Sequence, residues 1–107
     1  MIPKKFELHG TDWDVEIDNI STNINNLGEC FVPQCKIVIQ KTIRGEPVNE
    51  SMMEATFYHE LMHAFLSTGE YQELSENEIL VSYLGNCLHQ YIQTNVRYES
   101  SNTEPKI

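Results

Sequence analysis

His59 and His63 stand four positions apart in the stretch YHELMHAF, and Glu60 directly follows the first of them. On an α-helix, residues i and i+4 lie one above the other, so two imidazoles at this spacing can offer nitrogen to one metal ion. Glu60 is turned about 100° from His59, which places it beside such an ion rather than on it. That position suits a general base acting on metal-bound water, and His-Glu-x-x-His on a helix is the pattern of zinc proteases. With 4 His and 13 Glu in 107 residues, a shuffled chain would contain it roughly one or two times in a hundred. Context therefore decides how it is read.

A catalytic zinc takes three protein ligands and keeps one position for water. The third should come from the next element, where Glu70, Glu73, Glu76 and Glu78 all stand. Glu78 is expected one turn inside a second helix, where the backbone fixes its direction, whereas Glu70 and Glu73 fall in the connecting loop. Glu78 is the choice. Ser75 and Glu78 also match a capping box, which would turn this carboxylate back onto its own backbone in competition with ligation.

The elements that must position these groups are legible in the periodicity. Phe6, Leu8, Trp13, Val15 and Ile17 alternate with polar residues around a turn at His9-Gly10-Thr11-Asp12, the pattern of a hairpin with one buried face. The Asn- and Ser-rich run NISTNINNLG reads as a loop, and ECFVPQCKIVIQ as two short strands broken near Pro33-Gln34. RGEPVNE reads as a further loop. Ser51 and Glu54 match a capping box and Gly69 a stop, which predicts a helix between them with Met53, Phe57, Leu61, Phe65 and Leu66 on its apolar face. A second helix is predicted from near Ser75 to about Tyr98, with Ile79, Leu80, Tyr83, Leu84, Cys87, Leu88, Tyr91 and Ile92 at helical spacing. The expected fold class is α+β: a small antiparallel or mixed sheet of three to four strands on an active-site helix and a C-terminal helix. A single domain covers residues 1–98, and 99–107 reads as a frayed tail.

HELMH followed by NEILVS resembles the gluzincin metallopeptidases, whose second motif is Asn-Glu-x-x-x-Asp. The short spacing and the strand-rich start look like the most reduced members, the minimal phage and bacterial gluzincins related to ImmA/IrrE-type peptidases. The resemblance spans roughly residues 5 to 95, although only the two motifs are specific. It implies zinc, one ion per chain, held by His59, His63 and Glu78, with Glu60 as catalytic base. It also implies an extended substrate adding to a sheet edge, for which the strand at 35–40 is the expected host. Ser82 departs from the pattern, standing where the family has an acid that accepts a hydrogen bond from a ligating histidine. A serine hydroxyl can accept the same bond without the charge, and Glu76 is a substitute acid.

Bulk composition narrows the rest. At 107 residues and 40% apolar, the chain is long enough for one modest core. Its formal charge of −9 repels phosphate backbones and anionic membranes, which excludes nucleic acid and membrane as partners of the bare surface. No apolar run approaches a membrane span, and MIPKKFELHG lacks the apolar stretch of a secretory signal. Cys30, Cys35 and Cys87 are an odd number, which fits free thiols in a reducing cytoplasm.

Plainer readings stand beside these. The His pair could be satisfied helix residues without a metal. His9 reads as a solvated turn residue, and His89 as structural or surface. Tyr58, Tyr71, Tyr83 and Tyr91 could polarise a substrate carbonyl, but each is better read as packing, and Met52-Met53 as core filler. The function expected is zinc-dependent peptide-bond hydrolysis of a peptide or protein substrate. A chain this short needs a shallow cleft, an oligomer or a regulatory partner for selectivity. The alternatives are a zinc-binding interaction module without turnover, and a metal-free acidic interaction protein.

Overall fold

His9 and Gly10 both take positive φ, 53° and 77°, so the first turn is the two-residue kind whose twist matches the strands it joins. It links β1 (Lys5–Leu8) to β2 (Thr11–Asp18), with Leu8 opposite Thr11. The computed structural model describes residues 1–18 and 26–101, the last three by backbone alone. Most of the Asn-rich loop expected after β2 lies outside the described residues.

Two further strands, β3 (Gly28–Phe31) and β4 (Lys36–Gln40), form the second antiparallel pair. β4 inserts beside β2 in parallel, with Asp14 opposite Lys36, giving a mixed sheet of order β1-β2-β4-β3. Ile37 and Ile39 on this interior strand are fully buried, with Trp13 and Val15 of β2 beside them. Ile17 continues the alternation in β2 yet is 43% exposed. The expected loop at RGEPVNE instead contains half of a small hairpin, β5 (Thr42–Ile43) and β6 (Glu46–Pro47), turned by Arg44 and Gly45 at φ 52° and 80°.

α1 (Glu50–Thr68) starts before the expected Ser51 cap, because Asn49 Oδ1 accepts the Met52 N–H at 2.8 Å. Glu54 serves no capping box; its carboxylate accepts from the Met1 ammonium at 2.8 Å and contacts His89 Nε2 at 3.3 Å. Gly69 ends the helix as expected, but the left-handed residue is Glu70, at φ 67°, and Tyr71 N–H returns to Leu66 O at 2.8 Å. The second helix is divided. A single turn, α2 (Gln72–Ser75), precedes α3 (Glu78–Ser101), which runs past the expected end near Tyr98. Residues 102–107 of the expected tail lie outside the described residues. Asn77, not Ser75, caps α3 by accepting the Leu80 N–H at 3.1 Å.

The fold is thus α+β, with α1 as the middle layer between the sheet and α3. Phe57 and Leu61 are buried as expected, together with Tyr58, Met62 and Ala64, while Phe65 is 40% exposed. Tyr58 packs between Phe57 and His89, stacking on the latter at 5.3 Å. His89 is therefore structural. Among the described residues no helix is long and apolar enough to cross a membrane.

Two glycines set how closely the layers approach. A Cβ on Gly85 would stand 3.0 Å from His59 Cα and 3.1 Å from its backbone N, so α3 rides directly on the α1 backbone at the first histidine. A Cβ on Gly28 would meet Thr56 Cγ2 at 2.6 Å and Glu60 Cγ at 3.3 Å, so β3 is held equally close. Gly85→Ala is expected to destabilise the fold by roughly 1–2 kcal/mol. Overpacking against an unyielding backbone outweighs the ~1 kcal/mol that alanine gains in a helix. Denaturant unfolding would register this, and a stabilised variant would disprove the tight crossing.

The Glu54 tie has a pH signature. The Met1 ammonium, assisted by His89 and opposed by burial, holds this carboxyl below its ordinary value. A carboxylate depressed in the folded state stabilises above its unfolded pKa, and that contribution fades as pH falls through the folded one. Glu54→Gln should therefore cost on the order of 1 kcal/mol at pH 7, about one charge-assisted hydrogen bond. The cost should shrink below about pH 4. Equal losses at pH 7 and pH 3 would contradict it.

Candidate metal centre

α1 presents His59 and His63 one turn apart, ring centroids 5.1 Å from each other, toward the start of α3. The Glu78 carboxylate sits across both rings: Oε2 is 3.2 Å from His59 Nε2, and Oε1 is 2.9 Å from His63 Nε2. These three residues form a group whose candidate ligand atoms all lie within 4.8 Å of one another. A tetrahedral ion with bonds of about 2.0–2.1 Å spaces its ligand atoms about 3.3 Å apart. The donor set and its spacing fit zinc. Glu78 is the first residue of α3, not one turn inside it, and Asn77 supplies the cap, so the carboxylate has no backbone duty to compete with this position.

The other ring nitrogens are held by serines. His63 Nδ1 is 3.0 Å from Ser75 Oγ, a buried hydroxyl that also accepts from Ser67 Oγ at 3.0 Å and reaches His63 O at 3.5 Å. With its own proton directed at that carbonyl, Ser75 accepts from Nδ1–H and leaves the Nε2 lone pair to a metal. Burial, opposed by the Glu78 carboxylate, lowers the His63 pKa and favours the neutral ring that ligation needs. Ser82 Oγ is 3.4 Å from His59 Nδ1. The substitute considered, Glu76, lines the cleft but is not part of the three-residue group.

Glu60 lies against β3, its Cγ 3.3 Å from where a Cβ on Gly28 would stand, and is only 8% exposed. Burial first, then the carboxylates of Glu78 and Glu29, push its pKa up to about 7. A carboxyl so tuned can both take and return a proton near neutrality.

These groups line one cleft of about 1220 Å³, between β3 with its following turn and the α1–α3 pair. Among the described residues, its charged lining residues are Glu29, Glu60, Glu76 and Glu78, all acidic. Cys30 lines it too, with its thiol pushed up to about 12 by burial, Glu60 and Cys35. Met52, expected as core, is 47% exposed and faces the same cleft. None of the four tyrosines weighed as carbonyl polarisers is among the cleft residues. The strand expected to receive an extended substrate, 35–40, is β4, whose two edges are taken by β2 and β3; the edge beside the site is β3. Ser67, Ser75, Glu29, Gly28 and Gly85 were not legible as site residues, since only the three-dimensional packing brings them there.

Compared with protein-family models, curated proteins and solved structures, the chain gives no match.

Proposed function

We propose that this chain is a zinc-dependent metallopeptidase of the minimal gluzincin kind. The observation that carries the reading is the convergence of His59 Nε2, His63 Nε2 and the Glu78 carboxylate at ligand spacing, with the buried Glu60 on the neighbouring helix position. His59, His63 and Glu78 would hold one zinc ion, which when bound supplies a Lewis acid for the carbonyl and activates water for attack. Glu60 takes the proton from the attacking water and returns it to the leaving amine. Ser75 fixes the His63 tautomer, and Ser82 stands within reach of the far nitrogen of His59. β3 offers its outer edge to an extended peptide, which would add as a further strand along the cleft.

The cleft's charge suggests the preferred substrate. With only carboxylates among its described charged lining residues, on a chain of formal charge −9, it favours Lys- and Arg-rich segments over acidic ones.

The test uses the full chain and a mixed peptide pool. Protein dialysed against zinc should retain about one ion per chain and cleave the pool, basic peptides several-fold faster at low salt. A chelator should stop cleavage and zinc restore it. Stoichiometric zinc with peptide binding but no cleavage would replace this reading with the interaction module. No zinc retention would remove both.

A further inference from the structure

From Ile79 to Val96, eighteen consecutive residues of α3 carry no Asp, Glu, Lys or Arg, in a chain of which 21% is charged. One face of this stretch packs on α1. The opposite face is open: Ile79 is 86% exposed, Tyr83 64% and Tyr91 65%, with exposed Cys87 midway between the tyrosines. These four residues recur at intervals of four and form one stripe along the helix, slightly inclined to its axis. A helix face meant only for water usually bears charges. Aromatic enrichment with charge depletion is instead the composition found at the centre of protein interfaces.

We infer that this stripe is the contact surface of a homodimer, in which α3 packs antiparallel on α3 of a second copy about a two-fold axis at Cys87. The spacing is self-complementary. Tyr83 and Tyr91 lie equally far from Cys87 on either side, so an antiparallel pair sets each Tyr83 against Tyr91 of the other copy, twice. The strip's lack of charge permits this occupant, while the −9 of each copy opposes association at low salt and is screened as salt rises. Two copies, each at −9, can meet along an uncharged strip without opposing carboxylates, and a basic partner would be drawn to the acidic surfaces instead. An anionic lipid surface would require lysines or arginines along the strip's polar flank, and this stretch has none.

The area fits a modest affinity. Two tyrosines about two-thirds exposed and a nearly bare isoleucine offer on the order of 400 Å² per copy. The uncharged flank at Gln90 extends this toward the lower range of specific interfaces, so the test spans micromolar concentrations. Ser82 faces His59 about 100° around the helix from Tyr83, so the contact leaves the cleft open.

Sedimentation velocity of the full chain over about 1–300 µM tests the inference. The mass should rise from 12.4 kDa to twice that value. Tyr83→Glu and Tyr91→Glu, both at exposed positions, should each raise the dissociation constant at least about tenfold with unchanged circular dichroism. In a Cys30→Ser, Cys35→Ser background, a short bismaleimide should join two chains through Cys87. A monomer throughout the range overturns the dimer and leaves the stripe to a different partner. A dimer indifferent to both glutamates overturns the face, and a sensitive dimer that does not cross-link through Cys87 overturns the antiparallel register.

Discussion

Glu60→Gln is expected to lower peptide hydrolysis by about three orders of magnitude, within the range general acid–base catalysis supplies, while zinc content stays at about one ion per chain. The amide keeps the shape and the hydrogen-bonding reach of the carboxylate but cannot take a proton. It stands outside the group formed by His59, His63 and Glu78, so the metal should not register its loss. Stability gives an independent reading. The native carboxyl is nearly buried, and both burial and the neighbouring Glu78 and Glu29 carboxylates disfavour its charge. Removing that charge should leave the unfolding midpoint unchanged or raised. A variant with activity within tenfold of the native protein would remove Glu60 from the chemistry. One that loses zinc as well as activity would show that the carboxylate serves the metal site, either as a ligand or through its packing.

The sequence made the histidine pair and its helix legible because both rest on local geometry: four-residue spacing, apolar periodicity and a stop at Gly69. The hairpin at His9-Gly10 was legible for the same reason. What escaped depends on contacts between distant segments. Ser51 with Glu54 has the form of a capping box, but Asn49 lies nearer the helix start and Glu54 is drawn to Met1 and His89. Ser75 with Glu78 has that form too, yet the chain breaks after Ser75, and Asn77 takes the cap. The break places Ser75 behind His63 and frees Glu78 for the cleft. β4 has the residues of a buried strand, but nothing local says that β2 and β3 take its two edges. Gly85 gives a local signal, a glycine within a strong helical pattern, but what it makes room for, the backbone at His59, belongs to the packing.

His63→Ala is expected to abolish zinc retention and hydrolysis together, whereas Ser75→Ala should weaken zinc binding by about 10- to 100-fold and leave residual turnover at saturating metal. The two changes act on one imidazole from opposite sides. His63 contributes the nitrogen 2.9 Å from Glu78 Oε1; without it, His59 and Glu78 make a two-ligand site, too few for a catalytic zinc. On the imidazole itself, Ser75 meets the far nitrogen, at 3.0 Å, where it holds the tautomer and ring angle. Its loss leaves all three donors in place but lets the ring turn and the proton shift to Nε2. Competition with a chromogenic chelator would rank the affinities, and added zinc should rescue Ser75→Ala but not His63→Ala. Equal zinc affinity in His63→Ala and the native chain would mean that the imidazoles and the Glu78 carboxylate meet only as hydrogen-bond partners. The metal centre, and the hydrolysis that depends on it, would then both fall.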